Sequence, residues 1–165
     1  MTIQEFFRIG MDRVVPELIE PSGPQINLGI GLKAMPKGVE SVGLPEWNAE
    51  TDPLPFPANS IGTIWALHFL EHINNAVQLL EECNRILRPG GVLNVTVPYG
   101  VCHMAVQDLT HVHFFNEDTW RKLFDNPYYR DNAGHGWSVH ANFIMAVTGE
   151  NLALFAQLVK KEEKS

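Results

Sequence analysis

The sequence predicts an α/β sandwich in which a largely parallel sheet carries helices on both faces and closes with a C-terminal antiparallel hairpin. Three observations carry this expectation. Residues 61–69 are an apolar run with β-branched and aromatic content, the composition of a strand buried on both faces. A helical-period stretch follows, stopped by Pro89-Gly90-Gly91, and a second apolar run over 92–97 completes a strand–helix–strand unit that crosses over right-handed. Runs at 138–148 and 152–160 then flank Gly149-Glu150-Asn151, a hairpin signal, although helix is a rival reading for the second run.

The remaining elements follow in chain order. Thr2 and Glu5 have the T-x-x-E spacing of a capping box, and Phe6, Ile9, Val14, Leu18 and Ile19 recur at helical spacing, so the chain opens with an amphipathic helix broken before Pro16 or ending near Glu20. Pro21-Ser22-Gly23-Pro24 is a turn, and a short first strand over 26–30 stops at Gly31. A second strand is expected over 39–44 and a Pro-rich loop over 45–57. Asn74-Asn75 is placed to cap the central helix, whose apolar face is Val77, Leu80, Cys83 (or Asn84) and Leu87, with Arg85 and Arg88 in its last turn. Residues 98–116 are irregular and His-rich, and Asn116 or Asp118 opens a short helix through Phe124.

Composition narrows the function classes. A length of 165 residues predicts a single domain over 1–165. Lys+Arg 12 against Asp+Glu 19 leaves a net charge of −7, which provides no general field for a phosphate backbone. Two cysteines, Cys83 and Cys102, lie in no C-x-x-C, so neither a disulfide framework nor a cysteine zinc site is expected, and a reducing cytoplasm fits. The start has no cleavage-site pattern and no apolar run approaches ~18 residues, so neither secretion nor membrane spanning is expected. No G-x-S-x-G, P-loop or H-E-x-x-H motif occurs, which argues against serine hydrolase, phosphate-transfer and zinc-protease chemistry.

Four segments occur in a telling order: Asn27-Leu28-Gly29-Ile30-Gly31, 54–60 (LPFPANS), 68–73 (HFLEHI) and Arg85-Ile86-Leu87-Arg88-Pro89-Gly90-Gly91. Together they resemble the signature of class I S-adenosylmethionine (SAM) dependent methyltransferases. The resemblance implies a Rossmann-like, methyltransferase-like domain with SAM as cofactor and an unidentified methyl acceptor as partner. Glycines at a strand's carboxyl end let backbone approach a ligand that side chains would exclude. On this basis Gly29, Gly31, Asn48, Ala49 and His68 are the candidate cofactor-binding residues. Asn48 stands where the family carries an acidic residue near the adenine.

Two departures stand beside the match. The family's ribose-binding acid falls near Gly43, and 31–38 is too short for the helix that normally crosses between the first two strands. They motivate a rival function, a non-catalytic methyltransferase-like binding or assembly module. The run Asp108-Leu109-Thr110-His111-Val112-His113-Phe114-Phe115 extends the resemblance, because similar D-x-T-H-x-x-F-F runs occur in a subset of the family. Tyr99, Asp108 and His111 are the candidate catalytic residues, with His111 as base, Asp108 orienting it and Tyr99 orienting the acceptor. No metal is assigned; ligation by His103, Asp108, His111 and His113 is the rival reading for this loop. His72 either positions a substrate or fixes the strand-to-helix turn, and Glu71, at a helix N-terminus, is given no catalytic role.

Overall fold

The computed structural model describes residues 17–30, 35–125, 136–147 and 151–162. Strands β1 (Gln25–Leu28), β2 (Val39–Val42), β3 (Ile61–Leu67), β4 (Leu87–Pro98), β5 (Trp137–Ala146) and β6 (Leu152–Lys160) form one sheet in the order β2-β1-β3-β4-β6-β5. The first four are mutually parallel, and β6 runs antiparallel between β4 and β5. The strand reading of 152–160 therefore holds over its helical rival. Residues 17–20 have no regular secondary structure, and the rest of the predicted N-terminal helix lies outside the described residues, as do Gly31 and the hairpin tip at Gly149-Glu150.

The strand–helix–strand unit forms as predicted, but of the expected helix face only Leu80 and Cys83 are buried on the helix; Val77 is half-buried and Leu87 already belongs to the next strand. Helix α1 (Ala76–Ile86) joins parallel neighbours β3 and β4, and buries Leu79, Leu80, Cys83 and Ile86 against the sheet. Burial pushes the Cys83 thiol pKa up, which makes it a core residue rather than a nucleophile. The cap differs from expectation. Asn75 occupies the N-cap position without a side-chain cap bond, and the Glu50 carboxylate instead accepts the backbone N–H groups of Asn74 (2.7 Å) and Asn75 (3.2 Å). An acidic group arriving from a distant loop thus fastens the two residues that lead into the helix and sits near the positive end of its dipole.

The helix also ends earlier, at Ile86, and the R-P-G-G segment becomes part of β4. Pairing moves from Ile61 opposite Leu87 to Thr63 opposite Val92, so Arg88 to Gly91 form a bulge. A Cβ on Gly91 would lie 2.8 Å from the Arg88 carbonyl oxygen, which explains the glycine there.

A one-turn helix α2 (His103–Val106) and helix α3 (Asp118–Asp125) follow β4. The Asn116 side chain opens α3 by accepting the Asp118 N–H at 3.0 Å. Trp120 of α3 joins the same core cluster as Leu79 and Leu80 of α1. Against the opposite face lies a smaller cluster of Leu18, Trp65, Ala141 and Phe155. No helix among the described residues is long and apolar enough to cross a membrane.

Candidate functional site

The carboxyl ends of β1 and β3 meet where a parallel sheet opens its crevice. Gly29 ends β1 with φ +86° and donates its N–H to the Val42 carbonyl of β2 at 2.7 Å. His68 follows β3 with φ +52°, a left-handed conformation that costs a non-glycine residue and marks functional sites. Its N–H extends the β3–β4 ladder to the Thr96 carbonyl at 2.8 Å, and its side chain is 43% exposed.

Asn48 and Ala49 lie in the loop after β2, stacked on the sheet by Trp47, which is 4% exposed. The Asn48 side-chain oxygen accepts the Glu50 N–H at 3.0 Å, a local Asx turn that leaves its amide nitrogen as the donor on offer. Gly29 and His68 thus follow the carboxyl ends of adjacent strands β1 and β3, Asn48 and Ala49 lie in the loop after β2, and Gly31 is outside the described residues.

That edge also carries a residue sequence reasoning did not select. A Cβ on Gly29 would sit 2.8 Å from Cδ2 of Phe69, so the phenyl ring lies directly against the glycine. Phe69 in turn stacks on Trp47, with ring centroids 6.3 Å apart. The only sign in the sequence was an aromatic residue next to His68.

Beyond β4, Tyr99 donates its hydroxyl to Glu117 at 3.0 Å, and this bond raises the phenol pKa. Asp108 accepts the backbone N–H (2.9 Å) and hydroxyl (2.7 Å) of Thr110, which lower its pKa. Its other oxygen is 3.8 Å from His111 Nε2, too far for a hydrogen bond, so Asp108 does not orient His111 in the way proposed from the sequence. The Ala105 carbonyl does, at 2.9 Å from Nδ1. The His111 side chain is 7% exposed.

His111 meets His72 edge-on, with ring centroids 4.7 Å apart, and both approach Glu71. Glu71 is 1% exposed, and neither of its carboxylate oxygens has a hydrogen-bond partner. The group of donors that converges here is therefore Glu71, His72 and His111, and the rival set drawn from His103, Asp108 and His113 does not. His113 instead places Nε2 3.3 Å from the Asn74 carbonyl oxygen. A cavity of about 940 Å³ lies between α1 and α3, lined by Leu70, Val77, Leu80, Phe115, Trp120 and Leu123.

An open, largely parallel sheet with a reversed final pair defines a Rossmann-like α/β domain. Comparison with known proteins agrees. The family model described as a methyltransferase domain matches residues 33–95. A probable S-adenosylmethionine-dependent methyltransferase of Mycolicibacterium smegmatis is 40% identical over 45 residues, a stretch that spans 27% of this chain and 18% of the relative. Among solved structures, a SAM-dependent methyltransferase of Thermotoga maritima superposes with a TM-score of 0.57 at 17% identity, covering 86% of this chain and 84% of that one. One from Methanosarcina mazei gives 0.54 at 16% identity over 82% and 73%. The [4+2]-cyclase SpnF shares the fold as well, with a TM-score of 0.51 at 15% identity over 75% and 57%. Over residues 33–95 the chain is thus similar to SAM-dependent methyltransferases, and its fold is one that solved members of that class share.

The residues present fit part of SAM. The Gly29 backbone, the Asn48 amide and His68 are of the right kind and on the right edge. The ribose end lacks its carboxylate: Gly43 stands at that place, and a Cβ there would lie 3.0 Å from the exposed Ile30 side chain and 3.2 Å from its backbone nitrogen, so a larger residue requires Ile30 to give way.

Proposed function

We propose that this chain is a SAM-dependent methyltransferase acting on an acceptor still to be identified, with a cofactor affinity reduced by the missing ribose carboxylate. The observation that carries the reading is the placement of Gly29 and of His68, both with positive φ, at the carboxyl ends of the adjacent parallel strands β1 and β3. SAM supplies an electrophilic sulfonium methyl group. Displacement at such a group demands alignment and exclusion of water more than acid–base chemistry, so the residues at this edge act chiefly by positioning. Gly29 and Gly31 offer backbone, Asn48 offers an amide to the adenine with Ala49 beside it, and His68 lines the methionine end.

On the acceptor side, Tyr99, Asp108 and His111 follow β4. A backbone carbonyl only accepts, so His111 must carry its proton on Nδ1, which leaves the Nε2 lone pair for an acceptor proton. Tyr99 and Asp108 act by placing polar groups at the rim.

Titration calorimetry with SAM and S-adenosylhomocysteine tests the reading. Saturable heat at micromolar to millimolar ligand, accompanied by a rise in melting temperature, supports it. A specific observation favours a second reading, a non-catalytic methyltransferase-like module: the Phe69 ring lies on Gly29 where ligand would approach. Absence of both heat and thermal shift at millimolar SAM establishes that second reading in place of the first. The fold alone does not choose between them.

A further inference from the structure

We propose that Glu71, His72 and His111 form a site for one divalent transition-metal ion of the zinc class. The proposal does not rest on methyl transfer: it concerns binding of the ion, and it replaces the base role of His111. One ligand atom from each residue falls within 4.8 Å of the others. Bonds of about 2.0–2.2 Å put the donors of a tetrahedral site roughly 3.4 Å apart, so closure asks for inward movement of roughly an ångström. His72 Nε2 already stands 4.0 Å from Glu71 Oε1.

The hydrogen-bond network leaves the correct nitrogens open. His111 Nδ1 faces the Ala105 carbonyl oxygen, which can only accept, so Nδ1 holds the proton and Nε2 the lone pair. The Thr110 hydroxyl donates to Asp108 at 2.7 Å and therefore accepts from His72 Nδ1 at 2.9 Å, which again leaves the Nε2 lone pair open. Two imidazoles with their outer nitrogens anchored to a carbonyl and to a hydroxyl–carboxylate relay are the outer-shell arrangement that orients metal-binding histidines.

The third ligand supplies the independent sign of a ligand. A carboxylate 1% exposed, with no hydrogen bond to either oxygen, is costly to bury unless a positive charge compensates it. His68 Nδ1 lies 3.4 Å from Oε1 and is the nearest candidate for a fourth position, which water fills otherwise. The frame is rigid where it needs to be. Backbone N–H groups of Val112 (2.8 Å) and His113 (3.3 Å) both donate to the Glu71 carbonyl, fastening the His111 loop to the turn after β3. A two-nitrogen, one-oxygen donor set without thiolate suits Zn²⁺, Co²⁺ or Fe²⁺ rather than Ca²⁺ or Mg²⁺. A metal on His111 Nε2 uses the same lone pair a general base would, so the two roles exclude each other.

The test is titration of the chelator-stripped chain with Zn²⁺ by calorimetry and with Co²⁺ by visible absorption. The expected result is one ion per chain and a Co²⁺ ligand-field band without thiolate charge transfer. Glu71→Gln, His72→Ala and His111→Ala should each weaken Zn²⁺ on the order of 100-fold or more, and Thr110→Val by ~10–100-fold, through His72 alone. His113→Ala should leave affinity unchanged. Each variant is paired with a melting curve that reports its folding, and the wild-type Co²⁺ spectrum stands without any variant. Failure of the wild type to bind either ion at tens of micromolar overturns the proposal. So does binding that persists in folded His72→Ala and His111→Ala, which would place the ion elsewhere. In either case the SAM titration is unaffected.

Discussion

Replacing Arg85 by alanine tests how two separated sequence segments become one structure. The guanidinium donates to both Glu82 oxygens at 2.8 Å, to the Leu54 carbonyl at 2.9 Å and to the Phe56 carbonyl at 3.0 Å. Glu82 also accepts the Leu54 N–H at 2.9 Å, so the pair clamps the L-P-F-P loop onto α1 and holds Leu54 in the core. Bonds from a charged donor are worth about 1.5–3 kcal/mol each when buried. Arg85 is 37% exposed, so water recovers part of the two carbonyl bonds, and the ion pair adds only ~0.5–1 kcal/mol. Arg85→Ala should therefore cost about 2–3 kcal/mol in urea unfolding with an unchanged m-value. Arg85→Lys should recover less than half, since an ammonium cannot span both carbonyls. The pH dependence has a defined sign. The bond from Arg85, foremost, holds the Glu82 pKa below its ordinary 4.5, so its contribution is full above that value and fades as pH falls through the lower, folded one. The difference between wild type and Arg85→Ala should accordingly shrink toward pH 3. A loss below about 0.5 kcal/mol at neutral pH, or one that grows with acid, refutes the clamp.

Three further outcomes are expected. Glu50→Ala removes the acceptor for the Asn74 and Asn75 N–H groups and should lower stability by about 1 kcal/mol in the same urea assay, as loss of a helix cap does. Burial opposes ionisation of Glu50, but the bonds from Asn74 and Asn75 outweigh it and depress its pKa, so this contribution too should vanish in acid. Gly29→Ala forces a side chain onto φ +86° and against Phe69, and should cost about 1–2 kcal/mol by thermal melt while abolishing SAM heat. Phe69→Ala uncovers Gly29, so SAM affinity measured by calorimetry should rise several-fold; an unchanged or weaker affinity shows that the ring supports the crevice rather than closing it.

The strand–helix–strand unit was legible because its signals are local. Apolar runs over 61–69 and 92–97, one amphipathic face and a Pro-Gly-Gly break all lie within forty residues and agree with one another. The hairpin was legible for the same reason. The cap on α1 was not, because the acceptor is Glu50, which is 24 residues from Asn74. The R-P-G-G segment reads as a helix stop, and only the pairing with β3 shows that it bulges within a strand. At the site, D-x-T-H marked the correct loop but not its use. The role of Thr110 lies in its contact with His72, 38 residues away, and the isolation of the Glu71 carboxylate is a property of packing that no spacing encodes.

The short connection between β1 and β2 has a consequence on the sheet face opposite α1. Residues 29–38 cross between parallel strands in ten residues, where a helix would need a dozen or more. A sheet face covered by a helix is apolar, as the α1 side is, with Ile26, Leu28, Ile64, Ala66, Leu93, Val95 and Ala156 in one cluster. On the other side the register aligns Asn27, Trp65, Asn94 and Gln157 in a single row across four strands. Gln157 donates to Asn94 at 2.9 Å and exchanges hydrogen bonds with the Ile19 backbone at 2.8 and 3.0 Å. Side-chain amides there satisfy a stretch of chain whose own N–H and C=O groups have no helix to pair in. The buried amides and the shortened crossover are thus two sides of one change: where the crossover is too short for a helix, backbone from elsewhere lies on the sheet, and polar side chains must meet it.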